Sequence, residues 1–203
     1  ESDFETERIL IPDKFYVVHL VNYPTVLFFL FKKGNEFISN TKYQFINHCE
    51  KSFELIHPSI LNIVGYLLEK PYLYYFFFES HKSIDSSISD VNIQKIFFGI
   101  ASGLSYLLSK GYYCSDFSIS SVIFDRDYCP KLFDYINIEE PNKNYENDLI
   151  RRYVDVVNFI INEKMKENSN LQINEEFQDL LRRANQPMNL PSFIEFINFF
   201  QTK

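Results

Sequence analysis

The order of apolar and polar positions divides the chain into a strand-rich front and a helix-rich back. Phe15–Val21 and Thr25–Phe31 are dense in β-branched and aromatic residues, and Tyr23-Pro24 between them has the form of a turn, which predicts paired antiparallel strands. The period then lengthens. Phe45, Cys49, Phe53 and Ile56 recur at helical spacing, predicting one amphipathic helix over Thr41–Ile56. It should stop before His57-Pro58, because a proline disfavours helical backbone in the residue ahead of it. Ile60–Leu68 and Tyr72–Phe78 return to strand character on either side of Glu69-Lys70-Pro71. From residue 90 onward Ile93, Ile96, Phe97, Ile100, Leu104, Leu107 and Leu108 share one helix face, with Asp90 as the expected N-cap and Gly111 as the stop. Further helices are predicted over Asp148–Lys166, Glu175–Ala184 and Pro191–Phe200, the last opening on Ser192-Phe193-Ile194-Glu195, which has capping-box form. Glu139–Asn147 is polar throughout most of its length and is expected to be an exposed loop.

Composition narrows the function classes. With 46% hydrophobic residues, including 22 Phe and 14 Tyr in 203, the chain has ample material for a core, and intrinsic disorder is excluded. A net charge of −7 argues against nucleic acid as a partner, since that affinity depends on Lys and Arg neutralising phosphates. The longest apolar runs fall far short of the ~20 residues of a membrane-spanning helix, so no membrane span is expected. Cys49, Cys114 and Cys129 form no Cys-x-x-Cys pair and are odd in number, which fits a reducing, cytoplasmic setting. Cys114 has no neighbouring cation or clear His partner in the sequence and is expected to be ordinary packing. His19, His48, His57 and His81 lack the spacing of a metal-binding helix motif.

Several ordered words carry a resemblance. His57-Pro58-Ser59-Ile60-Leu61-Asn62-Ile63-Val64-Gly65-Tyr66 resembles the segment that follows the regulatory helix of protein kinases, especially of the tyrosine-kinase-like group. Ile100-Ala101-Ser102-Gly103-Leu104-Ser105-Tyr106-Leu107-Leu108-Ser109-Lys110-Gly111 is similar to the long helix before their catalytic loop. Pro130-Lys131-Leu132-Phe133-Asp134 resembles the strand leading into their metal-binding Asp-Phe-Gly, and Asp155-Val156-Val157-Asn158-Phe159 and Pro191-Ser192-Phe193 match segments from the rest of the helical lobe. The resemblance spans roughly residues 26–200. It implies an α+β, two-lobed protein-kinase-like fold forming one domain over 1–203, with a strand-rich lobe over about 13–80 and a reduced helical lobe over about 81–203.

Position by position, the chemistry of that family is depleted. Nothing before Gly34 is glycine, so the turn whose bare backbone would approach nucleotide phosphates is missing. The strand-three lysine is replaced by Phe29, and Leu27 stands where a small alanine would leave room for adenine. With Ile123, these are nucleotide-pocket positions expected to be occluded. The helix glutamate that would pair with the lysine falls at His48, read here as structural; losing both members leaves no unpaired buried charge. In the catalytic loop Cys114-Ser115-Asp116-Phe117-Ser118-Ile119-Ser120-Ser121, Asp116 keeps the position of the base without its support. Ser118 replaces the phosphoryl-steadying lysine, Ser121 the magnesium-binding asparagine, and Ser115 the arginine that anchors a phosphorylated activation loop. Asp134 keeps a metal position, but one carboxylate is a poor magnesium site. Asp155 resembles the helix aspartate that braces the catalytic loop and is read as structural. Only twenty residues separate Asp134 from Asp155, too few for the family's substrate platform.

The resemblance therefore implies a pseudokinase: a catalytically inactive interaction, scaffold or regulatory module without a cofactor, whose partner is a protein such as a kinase or another signalling protein. The alternative is a divergent kinase that binds ATP with Mg2+ and transfers phosphate weakly to Ser, Thr or Tyr.

Overall fold

The computed structural model describes residues 4–11, 15–20, 23–32, 39–61, 65–69, 72–76, 88–114, 116–133, 135–137, 143–166, 174–186 and 190–202, the strands of the large sheet by backbone and register. The chain has an α+β architecture in two units, one comprising Glu1–Ile56 with Ile60–His81, the other His57–Ser59 with Lys82–Lys203.

The first unit is built on a five-stranded antiparallel sheet in the order β1-β2-β3-β5-β4. Its strands are β1 (Phe4–Ile11), β2 (Phe15–Leu20), β3 (Tyr23–Lys32), β4 (Gly65–Glu69) and β5 (Tyr72–Phe76), and helix α1 (Ser39–Ser52) fills the connection from β3 to β4. The apolar patterning does not reveal β1, because Glu5, Glu7 and Arg8 interrupt it. As an edge strand with register shifts at Thr6/Arg8 and Ile9/Ile11, it has the charges and bulges that discourage pairing with another chain. Tyr23-Pro24 is not the turn that the sequence suggests. Tyr23 pairs with Leu20 and the next partners are Leu27 and His19, so Pro24 lies inside a bulge of β3, where its missing N–H costs no ladder bond. Helix α1 closes four residues before the expected Ile56, with Phe53-Glu54 forming a turn.

The second unit is organised around α2 (Asp90–Ser109), which packs against α3 (Lys143–Met165), α5 (Phe193–Gln201) and the short strands β6 (Tyr112–Tyr113) and β8 (Pro130–Leu132). Its N-cap is Ser89 rather than Asp90: Ser89 Oγ accepts the Asn92 amide at 3.3 Å, and Asp90 sits in the first turn, where its charge complements the helix dipole. Gly111 does end the helix, with φ of 75°, a backbone conformation glycine adopts without a Cβ penalty. Helix α4 (Glu175–Ala184) follows the predicted bounds. The capping box of α5 is formed, Ser192 N donating to Glu195 Oε2 at 2.8 Å and Glu195 N to Ser192 Oγ at 3.3 Å.

The mainly helical half also carries two small antiparallel ladders, β6 with β9 (Ile136–Asn137) and β7 (Val122–Phe124) with β8, the last falling on the segment that resembles a strand. One expectation fails here, that of an exposed loop. Helix α3 starts at Lys143, so 143–147 of the expected loop are helical. Local polarity loses to a tertiary contact there, because the Tyr145 ring lies against Tyr113 with centroids 4.6 Å apart. Among the described helices α2 is long and apolar enough to cross a membrane by length and composition. Half of its apolar window is buried inside the unit.

The core is aromatic. Tyr153 is fully buried, with Phe193 and Phe196 edge-on at 5.9 and 5.0 Å, and its hydroxyl donates to the Phe97 carbonyl at 3.2 Å. That bond satisfies a phenol that burial alone pushes well above its ordinary pKa. Lys164 is likewise buried, and its ammonium donates to the Ile88 carbonyl.

Candidate functional site

The loop that aligns with a catalytic loop leaves β6 through Cys114, which is fully buried, as packing requires. Asp116 follows and is exposed, while Phe117 turns into the core and fixes the loop from below. Ser118–Ser121 close into a single 3-10 turn: Ser121 N donates to Ser118 O at 2.9 Å, and the Ser118 and Ser120 hydroxyls lie 2.8 Å apart. The chain then enters β7, whose three residues are all buried. Ile123, one of the expected pocket positions, has 2% of its surface exposed and is paired with Lys131 across the β7–β8 ladder.

The turn between β7 and β8 is held by Asp125, whose Oδ1 accepts the amides of Asp127 at 2.9 Å and Cys129 at 2.8 Å. Tyr128, at φ of 59°, takes the left-handed position of that turn. After β8 the Phe133 amide donates to Ser121 O at 3.1 Å, tying the end of the hairpin back to the 3-10 turn.

A second layer fixes this loop, and the sequence reading missed its centre. Tyr113, the residue before Cys114, donates its hydroxyl to Asp148 Oδ2 at 2.5 Å. Arg152, one turn further along α3, donates Nε to the same oxygen at 2.7 Å. Burial by itself would raise the Asp148 carboxyl, but the bonds from Tyr113 and Arg152, with the charges of Arg152 and Arg151, outweigh it and hold it below its ordinary value. Burial, then the carboxylate it bonds, push the Tyr113 phenol up to about 12. The Arg152 guanidinium is held above its ordinary value by its bond to Asp148 first, against partial burial, and the charge of Asp116 adds to the effect. The Asp116 carboxylate thus lies in the field of an arginine.

Asp155, expected to brace the loop, is exposed on α3. The carboxylate that meets the loop strand is Asp148, seven positions earlier on nearly the same helix face. The spacing of Asp148 and Arg152, an opposite-charge pair at i and i+4, was the available signal. Leu27 and Phe29 lie in β3, where Leu27 pairs with His19 and Phe29 with Val17 and Tyr75, and His48 lies in α1; the side chains of all three are outside the described ones. Asp134 is outside the described residues. Among the described residues, no three His, Cys, Asp or Glu side chains gather as a metal site.

Asp148→Ala is expected to cost about 1 kcal/mol in urea unfolding. Hydrogen bonds to charged groups are worth about 1.5–3 kcal/mol, and the partial exposure of this pair discounts that. Because the folded pKa lies below the ordinary 3.8, the stabilisation is complete above that pH and is lost as pH falls through the folded value. The gap between parent and variant should therefore narrow as pH falls below 3.8. A gap that does not change with pH there would mean that ionised Asp148 is not what holds the loop.

No protein-family model matches this chain, and no curated protein matches its sequence.

Proposed function

We propose that the chain is a degenerate protein-kinase-like domain, a pseudokinase that has lost phosphotransfer and serves as a protein-interaction or regulatory module. The ordered words of the sequence support the family reading. So does the sheet order β1-β2-β3-β5-β4, with α1 between β3 and β4 and a long helix followed by a loop and a small hairpin in the second unit.

The observation that carries the loss of activity is Phe29. It occupies the middle of β3, a strand paired on both sides, at the position where the resemblance requires a cationic side chain. A phenyl ring has no donor for a phosphate oxygen. The loop supports the same reading, since the serines in place of lysine and asparagine, Ser118 and Ser121, bond one another in a closed turn, Ser121 N donating to Ser118 O at 2.9 Å and Ser118 N to Ser121 Oγ at 3.4 Å. Removing a preorganised electrostatic stabiliser costs about a hundred- to a thousandfold in rate, and several are absent together. The partner, on this reading, is a protein.

Thermal denaturation with ATP, with and without magnesium, tests it. A ligand at about 100 times its Kd stabilises the native state by about 2.7 kcal/mol, several degrees for a chain of this size. The expected shift at millimolar ATP is none. A magnesium-dependent shift, accompanied by label transfer that Asp116→Asn abolishes, would establish the divergent kinase instead.

A further inference from the structure

We propose that the turn His57–Ser59 is an acid-sensitive clasp on α2, held closed by the neutral His57 ring and opened when that ring is protonated. Both ring nitrogens are engaged in a way that fixes the proton. Ser59 N donates to Nδ1 at 3.1 Å, so Nδ1 must be bare, and the ring proton resides on Nε2, which faces Ser102 Oγ at 3.1 Å. The ring is stacked on Tyr106 of α2, centroids 4.8 Å apart and planes at 25°. A second proton has no place to go: it would set an N–H at Nδ1 against the Ser59 N–H.

Burial and Lys131, which the ring faces from β8, oppose the charge as well. From α2 the stacked Tyr106 face favours a cation and is outweighed; the Lys110 ammonium lies 5.7 Å from the centroid of that same ring. Asp125 lies 4.0 Å from the Lys131 ammonium and offsets it in part. Burial first, then Lys131, lower the His57 pKa from its ordinary 6.5. Since the folded value lies below the unfolded one, the closed turn is fully stabilised above pH 6.5, and its stability falls as pH drops through the folded value.

What the clasp holds gives the opening a consequence. Ser59 fits against α2 where Gly99 and Gly103 lack side chains, its Oγ and Cβ being 3.1 Å from where their Cβ atoms would stand. Its carbonyl accepts the Leu132 amide at 2.8 Å. Leu132 belongs to β8, and the next amide, Phe133, is bonded to the 3-10 turn of the candidate loop. Opening the turn removes the partner of the Leu132 amide and loosens the hairpin beside that loop.

Nuclear magnetic resonance on the full chain tests this. The expected results are a neutral His57 carrying its proton on Nε2, with a titration midpoint below 6.5. Below pH 6.5 the Ser59 and Leu132 amides should open up to about tenfold more per pH unit, after correction for intrinsic exchange, until the folded midpoint is reached. In His57→Asn, whose side-chain oxygen can accept the Ser59 amide and does not titrate, that pH dependence should vanish. An Nδ1-protonated neutral ring, a midpoint at or above 6.5, or the same pH dependence in His57→Asn would each overturn the proposal. If the variant fails to fold, the tautomer and midpoint of the parent protein decide.

Discussion

Gly99→Ala is expected to destabilise the protein by about 3 kcal/mol, although alanine is the better helix former by about 1 kcal/mol. A Cβ at position 99 would lie 2.5 and 2.8 Å from Cγ and Cδ of Pro130 and 3.1 Å from Ser59 Oγ. The first two atoms belong to a rigid ring in the first residue of β8, so relief requires moving the strand. Gly103→Ala meets a softer obstacle, Leu132 Cδ1 at 2.7 Å, the end of a side chain that has other rotamers, and should cost less. Gln94→Ala, at an exposed position of the same helix, should stay within about 0.5 kcal/mol and serves as the control. Urea denaturation of the three variants gives the ranking. A neutral or stabilising Gly99→Ala would mean that α2 and β8 do not approach as closely as described.

That close approach explains why part of the fold was legible in the sequence and part was not. Helices with a strong apolar period and local end signals announce themselves: Ile93 to Leu107 in α2, the Ser192 to Glu195 box of α5, and the stop at Gly111 all depend on residues near in sequence. Elements made by distant partners do not. The edge strand β1 is charged because it is an edge, β6 and β9 are two residues each, and the first turn of α3 forms where Tyr145 meets Tyr113, 32 positions away. The candidate site divides along the same line. The turn at Ser118–Ser121 is local and depends on neighbours in sequence. The resemblance singles out Asp155 from its surrounding word, whereas the bond of Asp148 comes from Tyr113, on another element, and no local word announces it. Words in a sequence record neighbours, and a hydrogen bond between residues 35 positions apart leaves no mark in them.

Phe177→Ala should have the largest effect of any single truncation in the second unit, about 4 kcal/mol. Replacing a buried phenylalanine removes its transfer free energy and leaves a cavity, together about 3–5 kcal/mol. This ring also joins three helices. It stacks on Phe97 of α2 at 5.6 Å and on Phe199 of α5 at 5.2 Å, meets Phe200 at 5.2 Å, and sits edge-on to Phe196 at 6.2 Å. Four ring contacts at one residue place it above Tyr153, whose two edge-on partners both lie on α5. Helix α4 has only ten residues, too few to persist without packing; its other buried residues are Leu180, Leu181 and Ala184, and Arg183 pairs with Glu195 at 2.8 Å. The pair is partly exposed and contributes little by itself. Truncation should therefore release α4 before the rest of the unit unfolds, and hydrogen exchange would then show its amides unprotected while those of α2 remain slow. Phe177→Leu, which keeps most of the volume, should recover more than half of the loss. If α4 stays protected in Phe177→Ala and the urea midpoint barely moves, the aromatic cluster is not what fastens this helix to the core.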